Sequence, residues 1–139
     1  MAPVGVIFGG PSPEHDVSVL TGLQAARALA RASTEVRALY WSKAAEWFEV
    51  RPDAEASAFL EGVPAGASPL RLECVPGGGF VQRGGRMSRE RPVDLDVALV
   101  CCHGGPGEDG ALQSALDLAG VRHAGPTAAG AALGMDKLA

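Results

Sequence analysis

Two stretches of this chain share one design, and that design limits the folds open to it. Val4 to Phe8 is a short apolar run that breaks at Gly9-Gly10-Pro11-Ser12-Pro13-Glu14-His15-Asp16-Val17-Ser18 and passes into a helical pattern. Much later, the apolar run Val93 to Cys102 ends in His103-Gly104-Gly105-Pro106-Gly107-Glu108-Asp109-Gly110, and a second helical pattern starts at Ala111. Each reads as strand, Gly-rich polar loop, helix. Short runs so nearly free of polar residues suit strands covered on both faces, as in parallel sheets. In an open parallel sheet, the loops after the strands gather at the carboxyl ends, where ligands bind. The expectation is an α/β fold with a mainly parallel sheet, and one small-molecule site faced by both loops.

The rest of the chain fills in around these two units. The first strand spans Pro3 to Phe8. Val19, Leu23, Ala26 and Ala30 then recur on one helical face, which Ser33 and Thr34 end. Gly22 inside that helix costs up to about 1 kcal/mol against alanine, so it marks close packing on the sheet. Thr34 to Trp41 alternates and predicts a second strand, nearer an edge than the first. A turn at Lys43 to Glu46 leads to a short extended piece, Trp47 to Val50. Pro52 to Leu60 suits a helix with Pro and Asp in its first turn, and Gly62 to Pro69 a loop. Leu70 to Phe80 and Val81 to Met87 read as hairpin strands around glycine clusters. Asp109 caps the next helix, whose face is Leu112, Leu116 and Ala119 and whose end is Gly120. Val121 to Ala124 is a short strand, and Thr127 opens a last helix, Ala128 to Met135.

Composition sets outer bounds. A chain of 139 residues suits one domain with one core, and aromatics are only 5%, so that core is mainly Val, Leu and Ala. The net charge is -4 and no Lys/Arg-rich run occurs, which argues against a nucleic-acid partner. Arg83, Arg86, Arg89 and Arg91 cluster among Gly and Pro and read as a solvated loop. No apolar run approaches the ~20 residues that span a bilayer, and Met1-Ala2-Pro3 has no basic leader region, so neither a membrane segment nor a signal peptide is expected. Three cysteines without disulfide spacing fit a reducing cytoplasm, with Cys101 and Cys102 as small buried hydrophobes.

The candidate chemistry lies in the two loops. Glu14 sits between a strand end and a helix start, where a carboxylate can hold a substrate ammonium group or cap the helix, and Asp16 has the same two options. His103 stands at the end of a strand, placed either for function or for a structural hydrogen bond. Gly104, Gly105 and Gly107 permit close backbone approach to a ligand, and the helix after Asp109 offers amides to an anion, with Glu108 and Asp109 competing. The first loop lacks the G-x-G-x-x-G pattern, its prolines remove donors and its carboxylates repel phosphate, so a dinucleotide site is not expected. Cys102 and His103 are adjacent on a strand and point to opposite faces, so they are poorly placed as a nucleophile–base pair. No His or Cys spacing matches a zinc pattern, and no metal site is expected.

The motifs together resemble a known family. Gly9-Gly10-x-Ser12-x-Glu14-His15-Asp16-Val17-Ser18 is similar to the amino-terminal signature of D-alanine–D-alanine ligases, and His103-Gly104-x-x-Gly107-Glu108-Asp109-Gly110 to their second. Ala111 to Val121 resembles their next helix. Gly125 to Lys137, ending in Gly-Met-Asp-Lys, resembles the segment leading into their ATP-grasp module. The match weakens from about Arg51 to Arg91, and Cys102 stands where the family commonly has alanine or a larger apolar residue.

The resemblance implies a Rossmann-like, three-layer α/β/α amino-terminal domain over residues 1–139. Its parent would be an ATP-dependent ligase joining two D-alanines for peptidoglycan through an acylphosphate. It places Glu14 at the first D-alanine's ammonium group, where a charge-assisted bond is apt. It places His103 at the same substrate, Val17 and Ser18 in its lining, and Lys137 near the nucleotide phosphates. ATP and Mg2+ belong to the full-length parent, and the ATP-grasp portion is not in this chain, so the chain alone is not expected to make the product. A cytoplasmic homodimer is implied. The competing readings are a free-standing amino-acid-binding module and a small nucleotide-dependent oxidoreductase.

Overall fold

The computed structural model describes residues 2–125, so the helix expected at Ala128 to Met135, and Lys137, lie outside the described residues. In chain order come β1 (Val4–Gly9), α1 (His15–Arg31), β2 (Val36–Trp41), β3 (Trp47–Val50), a 3₁₀ turn (Ala56–Phe59), β4 (Ser68–Glu73) and β5 (Gly79–Gln82). There follow β6 (Arg91–Pro92), β7 (Val97–Val100), a second 3₁₀ turn (Gly105–Gly107), α2 (Ala111–Ala119) and β8 (His123–Ala124). All eight strands form one sheet in the order β6-β5-β4-β3-β2-β1-β7-β8. β2, β1, β7 and β8 pair in parallel. The meander from β2 through β6 continues the same sheet with antiparallel pairings.

The α/β class is borne out, with one α-helix on each face among the described residues. Side chains alternate across β1 and β2, as a strand requires. Val6, Phe8, Ala38 and Tyr40 face Val19, Leu23 and Ala26 of α1. Ile7, Leu39 and Trp41 face Leu112 and Leu116 of α2. Val6, Ile7, Phe8 and Leu39 are fully buried, each worth roughly 1.5–3 kcal/mol of burial. Gly22 is the contact point of α1 with the sheet, since a Cβ there would lie 2.3 Å from the Phe8 Cβ. α2 ends where expected, with Gly120 left-handed at φ 76°.

Several expectations are corrected. α1 begins at His15, before the apolar pattern, and its buried stripe is His15, Ser18, Val19, Gly22, Leu23 and Ala26. Ala30 is exposed. Polar and small residues hide the first half of that stripe from a hydrophobicity reading.

β2 lies inside the sheet, between β1 and β3, not near an edge. Its Arg37 forms a bidentate pair with Glu49 of β3 at 2.7 and 2.8 Å. Glu49 stands directly across from Leu39, so the pair is a diagonal cross-strand contact.

Pro52 to Leu60 yields only the 3₁₀ turn, and the Asp53 carboxylate pairs with Arg51. Buried Phe59 anchors that turn against Phe8 and Tyr40. The second hairpin strand is Gly79–Gln82, set earlier than expected, and buried Phe80 packs edge-on against Trp47. β7 is shorter than the apolar run that contains it, and Cys101 and Cys102 lie beyond its end.

Candidate functional site

The site is built from the loop after β1 and the loop after β7. These strands are neighbours in register, with Ile7 opposite Val100, so both chains leave the sheet at the same end. At the end of β1, Gly9 and Gly10 turn the chain with φ of 94° and 101°. A side chain at Gly9 would meet the Trp41 carbonyl at 2.3 Å.

Ser12 then joins the loops. Its Oγ accepts the Glu14 N–H at 2.9 Å and donates to the His103 carbonyl at 2.9 Å. Ser18, fully buried in α1, accepts the His103 N–H at 2.6 Å. His103 is thus held through both of its backbone polar groups by residues of the first loop and helix.

The ring of His103 is oriented as well. Its Nε2 lies 3.0 Å from Thr21 Oγ1, and the Thr21 hydroxyl donates to the Val17 carbonyl at 3.1 Å. With its one hydrogen so used, Thr21 accepts from Nε2–H, and in the neutral ring the Nδ1 lone pair is open. Nδ1 lies 3.9 Å from Glu108 Oε2. The ligating atoms of Glu14, His103 and Glu108 all fall within 4.8 Å of one another.

Gly104 and Gly105 serve a closer purpose than ligand approach. Both have positive φ. A Cβ on Gly104 would lie 2.9 Å from Glu14 Oε2, and one on Gly105 would lie 3.1 Å from Ser12 Cβ. They let the two loops meet. Glu108 accepts the Gly104 N–H at 3.3 Å, so it does compete with any anion for that amide. Asp109 accepts the Ala111 N–H at 2.9 Å, which bears out its helix-start role. Val17 is half-exposed on the first turn of α1, where a ligand can reach it.

The other candidates divide between a free carboxylate and structural roles. Glu14 occupies the position before α1, but its side chain caps nothing, which leaves the carboxylate free toward the second loop. Asp16 accepts from His15 Nδ1–H at 2.8 Å, and this bond, aided by Lys43, lowers its pKa. His15 is buried and its Nε2 accepts the Tyr40 hydroxyl at 2.8 Å. Burial, and secondarily the Asp16 charge, raises the Tyr40 pKa. Cys102 is buried against Gly107, where a Cβ would lie 2.3 Å from its own. Burial first, and Cys101 second, push its thiol up to about 12, so it is no nucleophile.

Sequence reasoning gave no site role to Ser12, which entered only as a residue of the first signature, and missed Thr21 altogether. A separate hollow of about 670 Å³ lies between the antiparallel strands and α2, lined in part by Trp41, Trp47, Leu70, Pro106 and Leu112. It is mainly apolar and does not include Glu14 or His103. Glu14 is exposed, and the His103 and Glu108 side chains are part-exposed, at the strand ends.

Comparison with known proteins identifies the family and the fold. The family model described as the D-ala D-ala ligase N-terminus matches residues 3–126. A D-alanine–D-alanine ligase of a Methylobacterium species is 36% identical over 139 aligned residues, covering 96% of this chain and 34% of that protein. D-alanine–D-alanine ligase A of Mesorhizobium japonicum is 31% identical over 134 residues, covering 96% of this chain and 37% of that protein. The chain therefore spans about a third of the length of these relatives. Among solved structures, the D-alanine–D-alanine ligase of Coxiella burnetii superposes with a TM-score of 0.78 at 24% identity, over 99% of this chain and 39% of that one. The VanG D-Ala:D-Ser ligase of Enterococcus faecalis gives 0.74 at 23%, over 98% and 39%. At that identity the structures attest the fold, while the family model and the closer sequences attest descent, and the chain belongs to the D-alanine–D-alanine ligase family, matching its amino-terminal domain.

Proposed function

We propose that this chain is the substrate-binding lobe of an ATP-dependent D-alanine–D-alanine ligase and that it holds the first D-alanine between Glu14 and His103. The observation that carries this reading is the double clamp of Ser12 and Ser18 on His103, which brings the strand-end histidine to the free carboxylate of Glu14. Glu14 binds the substrate ammonium through a charge-assisted hydrogen bond. His103, oriented by Thr21, faces the same substrate, and Val17 lines it. The role of Ser18 is to position His103, because its side chain is buried and its oxygen already engaged. Gly104 and Gly105 shape the floor by letting the loops close.

ATP and Mg2+ act in the remainder of such a ligase. The described residues offer no set suited to Mg2+, which prefers an octahedron of oxygens, whereas the one cluster with ligand spacing contains an imidazole. ATP would supply the phosphoryl group that activates the substrate carboxylate, and Lys137 is proposed to lie near its phosphates. Catalysis in the cytoplasm by a homodimer completes the reading. No helix among the described residues is long and apolar enough to cross a membrane.

The test is Glu14→Gln in the full-length ligase. Loss of one charge-assisted bond, worth roughly 1.5–3 kcal/mol, raises the KM for the first D-alanine about tenfold or more. An unchanged KM removes Glu14 from the substrate site.

A further inference from the structure

We propose that Glu14, His103 and Glu108 form a site for a borderline divalent transition-metal ion, of which Zn2+ is the type, and that this ion and a substrate ammonium group exclude one another there. The metal part stands on geometry alone; the competition rests on the reading of Glu14 as an ammonium ligand.

Three features support the metal. The first is distance. Three atoms no more than 4.8 Å apart share a point within about 2.8 Å of each, and zinc sits about 2.0–2.2 Å from its nitrogen and oxygen ligands. Two carboxylates at the surface need move less than about 1 Å to close that gap. The second is the tautomer. Thr21 takes the Nε2 proton of neutral His103, so the Nδ1 lone pair is directed to the side where Glu108 lies, 3.9 Å away. A metal-binding histidine characteristically donates its other ring N–H to such a partner, which fixes the ring and makes it a better ligand.

The third is charge. Two carboxylates brought this close favour a cation between them. The Glu108 carboxylate is steadied by the Gly104 amide, and His103 is clamped through its backbone by Ser12 and Ser18. One imidazole with two carboxylates suits Zn2+, Co2+ or Mn2+ better than Mg2+. The positions 14, 103 and 108 have no local spacing in common, which is why no zinc pattern is visible in the sequence.

The experiment titrates the 139-residue chain with CoCl2 and ZnCl2 in a Cys74→Ser background, because Cys74 is exposed and would bind metal by itself. One equivalent of Co2+ is expected to bind with visible d–d absorption and no sulfur-to-cobalt charge transfer, and Zn2+ to displace it. Glu108→Gln, at a side chain 44% exposed, leaves the circular dichroism unchanged and weakens the metal about 10–100-fold or more, as loss of even a supporting group does at such sites. Glu14→Gln does the same.

Absence of saturable binding, or binding indifferent to both substitutions, overturns the site. D-Alanine is titrated separately, in metal-free buffer and against the Zn2+-loaded chain. If D-alanine binds the metal-free chain and Zn2+ leaves its affinity unchanged, the exclusion is overturned while the metal site stands. If D-alanine binds neither the metal-free chain nor the metal-free full-length ligase, the ammonium reading fails, and the metal result is judged on the carboxylate variants.

Discussion

The buried hydroxyl of Ser18 accepts the backbone N–H of His103 at 2.6 Å, across 85 positions of sequence. This bond ties the first turn of α1 to the end of β7. Ser18→Ala leaves the amide without an acceptor, which costs about 1–3 kcal/mol. Urea denaturation should show the midpoint fall by that loss divided by the m-value, with the m-value itself unchanged, since the folded state keeps its compactness. In the intact ligase the same variant should also weaken D-alanine, because His103 is no longer held beside Glu14.

Gly22→Ala should destabilise the chain despite alanine's better helix propensity. The gain is about 1 kcal/mol. Against it stands a Cβ placed 2.3 Å from the Phe8 Cβ. Neither element can yield without moving α1 off the sheet, and overpacking of this kind costs about 1–3 kcal/mol. A lowered Tm in calorimetry is the expected readout. A raised Tm would mean that α1 shifts freely on β1.

Tyr40→Phe tests the buried pair behind the site. His15 Nδ1–H is committed to the acceptor-only carboxylate of Asp16, so Nε2 accepts the Tyr40 hydroxyl. Removing that hydroxyl strands a buried nitrogen and should cost about 1–3 kcal/mol. His15→Phe in the Tyr40→Phe background should recover part of the loss, because the unpaired polar atom is then gone.

Asp16 contributes to acid stability. Its hydrogen bond from His15, aided by Lys43, lowers its folded pKa below the ordinary value. A depressed carboxylate stabilises the fold above its unfolded pKa, near 3.9, and the contribution disappears as pH falls through the folded value. Asp16→Asn should therefore be less stable than the parent at neutral pH, and the gap should begin to close below about pH 4 and vanish only as pH passes the lower folded value. Parallel urea midpoints across pH 3 to 7 would refute the coupling.

Thiol labelling separates the three cysteines. Cys74 is exposed, Cys101 half-buried and Cys102 buried with its pKa pushed up to about 12. At neutral pH, Cys74 should react fast, Cys101 slowly, and Cys102 only after unfolding in guanidinium. Fast labelling of Cys102 in the native chain would contradict the packing of Gly107 upon it.

Much of this was legible in the sequence. β1, β7 and the two loops follow from short apolar runs that stop at glycine, and α2 from its Leu112, Leu116 and Ala119 face and the left-handed Gly120. Glu14 and His103 could be selected as candidates because they follow strand ends. The start of α1 escaped notice because His15, Ser18 and Gly22 are not hydrophobic, although burial treats them as core. The Arg37–Glu49 pair was not legible, because only the pairing of β2 with β3 sets the two side chains together.

The sequence alone determined the local grammar: which runs are extended, which are helical, and where glycine lets the chain turn. Periodicity and φ preference act within a few residues, so they can be read in one dimension. The tertiary structure alone decided that β2 lies inside the sheet, that an antiparallel meander continues it, and that Ser12 and Ser18 grip His103. Those outcomes depend on which donor meets which acceptor after distant strands pair in register. The sequence carries the groups, but their meeting is a property of the packed sheet.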